Sequence, residues 1–173
     1  KNIKLFSALD GSKNYLEQEF VYSPVKIIAI PTTAGTGSES TRFSVLYYKN
    51  EKQSISHDSI VPEYVFLEPK FLETLPEYQK KSTLLDAMCQ CIEAVWSVNT
   101  NDKCRGYAKS GLELILDNIL RYLKGDYASY QSIMRAANLG GKAINISQTT
   151  AAHAMSYKIT SLYGISHGHA VSL

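Results

Sequence analysis

A chain of 173 residues with 45% hydrophobic and 20% charged content can bury a core as one substantial domain or two small ones. Eighteen lysines and arginines against sixteen acids leave a net charge of +2 with no polybasic run, which argues against a nucleic-acid partner. No apolar run approaches the ~20 residues of a bilayer span, so a soluble, cytoplasmic protein with no membrane partner is expected.

Three cysteines fit that compartment. Cys89 and Cys91 fall in a helical pattern that turns them roughly 200° apart, so with Cys104 they read as free thiols in a reducing cytosol. The chain opens at Lys1 without an initiator methionine and stops at Leu173 just after a helix begins, so a fragment, cut at the C-terminal side as well, is expected.

In chain order, KIIAI (Lys26 to Ile30) between two prolines predicts a buried strand. The Thr/Gly/Ser-rich loop that follows, IPTTAGTGSEST, can converge backbone N–H groups on phosphate oxygens, although by composition alone such a loop is more often an ordinary turn. FSVLYY (Phe43 to Tyr48), a turn at NEK, and QSIS predict a hairpin; YVFLE (Tyr64 to Glu68) predicts another strand. After Pro69 the period becomes 3.6. A helix starts near Pro76 with a stripe of Leu84, Leu85, Met88, Ile92, Val95 and Trp96, a second spans Tyr107 to Leu123 and ends near Gly125, and a third runs from about Ala128 to Ile146. The third crosses Gly140 and Gly141, which cost ~1 kcal/mol each in a helix and therefore point to close packing or a kink. The junction between the two halves falls between Leu67 and Pro76.

Three of the four histidines lie in the last 21 residues. On one straight helix His153 and His167 would stand ~20 Å apart. Gly164 offers a left-handed helix end, so the pattern is helix, turn, and a second helix from Ser166. Upstream, Asp86 and Gln90 share one helix face, with Asp86 among apolar neighbours, where an unpaired carboxylate is costly. Taken alone, Asp86 reads as a salt-bridge or cap residue. With two histidines available, a shared metal is the alternative, because a carboxylate and two imidazoles suit Zn²⁺ or Fe²⁺.

PTTAGTGSE, then LDA at Leu85 to Ala87, then a histidine fourteen residues before that of YGISHG, in this order over nearly the whole chain, resemble the iron-containing (group III) alcohol dehydrogenase family. The resemblance implies an α/β plus all-α fold of the dehydroquinate synthase-like class. It divides into a partial α/β dinucleotide-binding domain over residues 1–70 and an all-helical metal- and substrate-binding domain over residues 71–173. It implies NAD(P) contacts at Thr32, Thr33, Thr36, Gly37 and Ser38, extending to Thr41 and Lys52, and a divalent metal, Fe or Zn, held by Asp86, His153 and His167. It further implies a small aldehyde or alcohol substrate and a homodimer or larger assembly.

Three departures from the family stand out. The pyrophosphate fingerprint GGGS-x-x-D-x-A-K is absent, as fits a sequence beginning just past it. Gln90 occupies the position of a histidine ligand and is counted with the metal residues as a fourth, weaker oxygen donor. Tyr157 stands where many members have a histidine that helps relay the proton, which makes Tyr157 the catalytic candidate, with His169 as the other proton carrier considered. Gln90 together with HAMSY, the SVN segment and LYGISHGHA is similar to a subgroup that includes phosphonoacetaldehyde reductases. A dianionic substrate would want cations, and Lys142 and Lys158 are candidates by position; His57 is left unassigned. The competing readings are a lyase of the dehydroquinate synthase type and a metal-free cofactor-binding relic.

Overall fold

The computed structural model describes residues 26–48 and 51–173, with backbone alone over 46–48 and 51–53. The part of the predicted first domain before residue 26 lies outside the described residues. Two short parallel strands, β1 (Ile28–Ala29) and β4 (Tyr64–Val65), pair Ile28 with Tyr64 and Ala29 with Val65. The antiparallel hairpin β2 (Phe43–Tyr48) and β3 (Glu51–Ser56) runs in register from Phe43 opposite Ser56 to Tyr48 opposite Glu51. The hairpin follows the sequence expectation, but the buried strand at Lys26 to Ile30 does not. Ile28 is 65% and Ile30 51% exposed, because no third strand or helix among the described residues covers that pair.

Five helices follow: α1 (Glu77–Trp96), α2 (Asp102–Leu123), α3 (Tyr130–Ser147), α4 (Ala151–Tyr163) and α5 (His167–Val171). The second starts five residues before the predicted Tyr107, because the Asn101 side chain accepts the Cys104 backbone N–H and caps the helix there. The third starts at Tyr130, after a 3₁₀ turn at Tyr127–Ser129. Among the described residues no helix is long and apolar enough to cross a membrane.

Helices α1, α2 and α3 pack together around Leu72, Leu84, Ala87, Ile115, Ile133 and Met134. The buried face of α1 is not the predicted stripe. Leu84 is buried, but the face continues through Ala87, Cys91 and Ala94, while Val95 and Trp96 point outward, Trp96 with 63% of its surface exposed. Small residues win because the helices approach closely: a β-carbon at Gly111 would come within 2.8 Å, and one at Gly140 within 3.2 Å, of the Cys91 sulfur. Burial pushes the Cys91 thiol up to about 12 and the Cys89 thiol up to about 11, and all three cysteines are free.

Gly141 has a different neighbour. A β-carbon on Gly37 would sit 2.6 Å from the Gly141 Cα, so the two main chains touch where the Thr/Gly loop crosses α3. The predicted close packing at the glycine pair is thus contact with α1 at Gly140 and with that loop at Gly141. Gly37 itself is left-handed, with φ 58°. The same loop is fastened by Asn138, whose amide donates to Glu39 Oε1 (2.9 Å) and Ser40 Oγ (2.6 Å), and by Asn145 Oδ1, which accepts the Arg42 N–H (2.9 Å).

Candidate active site

Along α1, Asp86, Gln90 and Glu93 recur at intervals of four and three, so all three leave one face. That face is buried, and it looks toward α4 and α5, which form the folded-back segment expected at Gly164, whose φ is 67°. The bend brings the His153 and His167 rings to a centroid separation of 5.3 Å. One ligand atom each from Asp86, His153 and His167 lies within 4.8 Å of the others.

Hydrogen bonds fix how each ring faces. His153 Nδ1 lies 2.7 Å from Glu93 Oε1 and its Nε2 3.3 Å from Asp86 Oδ1. Glu93 also accepts the Thr150 backbone N–H, the Thr150 hydroxyl (2.6 Å) and the His153 backbone N–H (3.2 Å), so one carboxylate holds both the ring and the first turn of α4. For His167, the Ser156 hydroxyl decides. Its proton goes to the His153 carbonyl (2.6 Å), so it accepts from His167 Nδ1–H at 3.1 Å, which leaves Nε2 of His167 as the lone-pair nitrogen. Both imidazoles are therefore held through Nδ1 and present Nε2. This pattern of outer hydrogen bonds accompanies metal-ligating histidines, and the set of one carboxylate and two Nε2 atoms fits a divalent ion of the Zn²⁺ or Fe²⁺ kind.

The charges follow the same geometry. Burial opposes ionisation of Glu93, but hydrogen bonds from Thr150 and His153 outweigh it and hold the carboxyl below its ordinary 4.5. Burial likewise disfavours a charged His153, yet its hydrogen bonds to Asp86 and Glu93 prevail and hold it above 6.5.

Gln90 is in the same cluster with a particular orientation. Its amide nitrogen donates to Asp86 Oδ1 and to the Thr36 carbonyl, both at 3.2 Å, tying the carboxylate to the Thr/Gly loop. Its carbonyl oxygen lies beside Gly140, buried and without a hydrogen-bond partner.

These side chains stand at one end of a cavity of about 650 Å³. Of the predicted cofactor residues, Thr36, Ser38 and Thr41 line it, while Gly37 backs onto α3 behind it. Thr32 is exposed and Thr33 half-buried, and neither lines the cavity; the Lys52 side chain lies outside the described residues, with its backbone paired to Tyr47. Tyr157 lines the cavity and stacks on His167 at 5.6 Å with the rings 14° from parallel. His169 turns away to Tyr78, with its Nδ1 3.1 Å from the phenol oxygen, and Ser166, next to His167, donates its N–H to that oxygen. Lys142 and Lys158 are exposed and contribute nothing to the cavity wall, so the position argument for them fails. His57 caps a 3₁₀ turn by accepting the Ser59 N–H.

Sequence reasoning missed Glu93 and Ser156. The seven-residue interval from Asp86 was a usable signal for Glu93; nothing in the pattern marked Ser156.

Residues 80–173 match the model of the Fe-containing alcohol dehydrogenase family, C-terminal, and residues 1–69 match that of iron-containing alcohol dehydrogenase. The chain is 34% identical over 150 residues to the phosphonoacetaldehyde reductase of Streptomyces viridochromogenes, covering 84% of this chain and 38% of that protein. It is 32% identical over 151 residues to the 4-hydroxybutyrate dehydrogenase of Clostridium kluyveri, covering 84% and 41%. The sulfoacetaldehyde reductase of Bifidobacterium kashiwanohense, solved in complex with NAD⁺, superposes with a TM-score of 0.86 at 29% identity, over 91% of this chain and 43% of that one. The chain thus spans about two fifths of the length of these relatives. With the C-terminal model alone covering more than half of its residues, the chain belongs to the iron-containing alcohol dehydrogenase family.

Proposed function

We propose that this chain is part of a divalent-metal-dependent, NAD(P)-linked alcohol dehydrogenase that works as an aldehyde reductase. The observation that carries the reading is the meeting of Asp86, His153 and His167 in the wall of a cavity that Thr36, Ser38 and Thr41 of the neighbouring loop also line. A bound ion there supplies Lewis acidity and the nicotinamide supplies reducing equivalents. The chain's own residues bind and orient: Glu93 and Ser156 aim the two imidazoles, and Gln90 links Asp86 to the loop. Gln90 stays in the proposed donor set as a fourth, oxygen ligand, for which its amide has to turn over from the arrangement described. Tyr157, stacked on His167 at the cavity wall, is the proposed proton donor to the product oxygen.

Similarity to enzymes named for phosphonoacetaldehyde and sulfoacetaldehyde supports a two-carbon aldehyde with an acidic head group as the substrate, phosphonoacetaldehyde first, giving 2-hydroxyethylphosphonate. The separate family models over residues 1–69 and 80–173 support domains at 1–70 and 71–173; the dehydroquinate synthase-like class is part of the same proposal. Free thiols, two of the three buried, support a cytoplasmic setting, and the exposed Leu116 and Leu120 on α2 support a homodimer or larger assembly. The deciding experiment follows NAD(P)H absorbance in the full-length protein with phosphonoacetaldehyde. Turnover lost on chelation and restored by Fe²⁺ or Zn²⁺ is expected; turnover indifferent to chelation would overturn the metal-dependent reading.

A further inference from the structure

Gln148 is the one described non-glycine residue with a positive φ, 62° with ψ 172°. Glycine adopts that backbone freely, whereas a side chain there is strained. The strain is imposed from both sides. The Gln148 N–H is bound to the Ile144 carbonyl at 2.8 Å and its carbonyl accepts the Ser147 hydroxyl at 3.0 Å, while two residues on Thr150 is held by Glu93. The side chain so positioned is exposed and stands in the wall of the cavity that contains Asp86, His153 and His167. A strained side chain that faces a cavity points to a role in that cavity.

The rest of the wall says what that is. No lysine or arginine among the described residues lines the cavity; beside Gln148 it offers the hydroxyls of Thr149 and Thr160. These are neutral donors, and a hydrogen bond to a charged acceptor is about twice as strong as one to a neutral acceptor. We infer that Gln148 is a specificity-determining residue whose side-chain amide donates to the acidic head group of the substrate aldehyde. The inference rests on the aldehyde-reductase reading above and names the group that reads the head of the substrate.

The test compares wild-type, Gln148→Gly and Gln148→Glu forms of the full-length protein on phosphonoacetaldehyde and on propionaldehyde, which lacks the acid. Gln148→Gly removes the amide and relieves the strain. It is expected to raise KM for phosphonoacetaldehyde about tenfold or more, the loss of one hydrogen bond to a charged group. KM for propionaldehyde and for the nicotinamide cofactor should stay within about twofold, and Tm should rise because glycine fits the backbone. Gln148→Glu, nearly isosteric and without a donor, should raise KM for phosphonoacetaldehyde further and leave propionaldehyde alone. Unchanged KM for the acidic aldehyde in both variants would overturn the inference, as would an equal loss on both aldehydes. A wild-type enzyme that reduces neither aldehyde would overturn the functional reading and this inference with it, whereas normal wild-type turnover with unaltered variants overturns this inference alone.

Discussion

Removing the Glu93 carboxylate should damage the protein more than any comparable change on α1. Glu93 is 1% exposed and accepts four hydrogen bonds, two from Thr150 and two from His153. Glu93→Ala leaves two backbone N–H groups at the start of α4 and the His153 ring N–H without an acceptor in a dry setting. Breaking a buried charge pair by deleting one partner costs ~3–5 kcal/mol. Adding the bonds singly, at about 1.5–3 kcal/mol each for a charged acceptor, would exceed that, because bonds that share one carboxylate are not additive. Taking the lower range, and ~2–4 °C per kcal/mol for a chain of this size, Tm should fall by roughly 6–20 °C in a thermal melt of the metal-free protein. Glu93→Gln keeps one acceptor oxygen and should recover part of the loss. Zn²⁺ affinity, measured by competition with a chromogenic chelator, should weaken by about 10–100-fold in Glu93→Ala, since the ring is no longer aimed. A Glu93→Ala protein within about 1 kcal/mol of wild type, with unchanged Zn²⁺ affinity, would refute this account of α4.

Stability of the metal-free protein should peak between pH 4.5 and 6.5. The Glu93 contribution is complete above its ordinary 4.5 and is lost as pH falls through its lowered value. The His153 contribution is complete below 6.5 and is lost as pH rises through its raised value, so urea midpoints against pH should form a dome whose alkaline side flattens in His153→Ala. Gly168→Ala should be destabilising by ~1–3 kcal/mol and should weaken metal binding, because the added carbon would run into the Ser82 backbone carbonyl, with the Asp86 Cβ 2.9 Å away, and push His167 off its partners. Unaltered metal affinity in that variant would contradict the placement of α5. Tyr157→Phe should lower kcat by about 10²-fold with Zn²⁺ affinity unchanged, and a kcat within twofold would remove Tyr157 from proton transfer.

Which parts of this were visible in the sequence follows from the range of the interactions involved. Asp86, His153 and His167 could be named because each is costly or unusual where it stands, and the turn at Gly164 because a left-handed helix end has a local signature. The hairpin was legible for the same reason, since its pairing is settled within fourteen residues. The face of α1 was misread because apolar size was taken for burial. Cys91 is buried where Gly111 and Gly140 arrive from two other helices, and no window on α1 contains that information. Glu93 was hidden similarly, since its partners lie fifty-seven and sixty residues away. Lys142 and Lys158 were picked by position along the chain, which does not say which side of a helix faces the cavity.

The contact between Gly37 and Gly141 is main chain against main chain, with no side chain on either side able to step back. Neither position can therefore drift alone, and a change at one has no compensating change at the other. If both were randomised together in a library selected for activity, survivors should carry glycine twice, leaving α3 and the loop locked as one piece through whatever diversification of substrate the surrounding residues undergo.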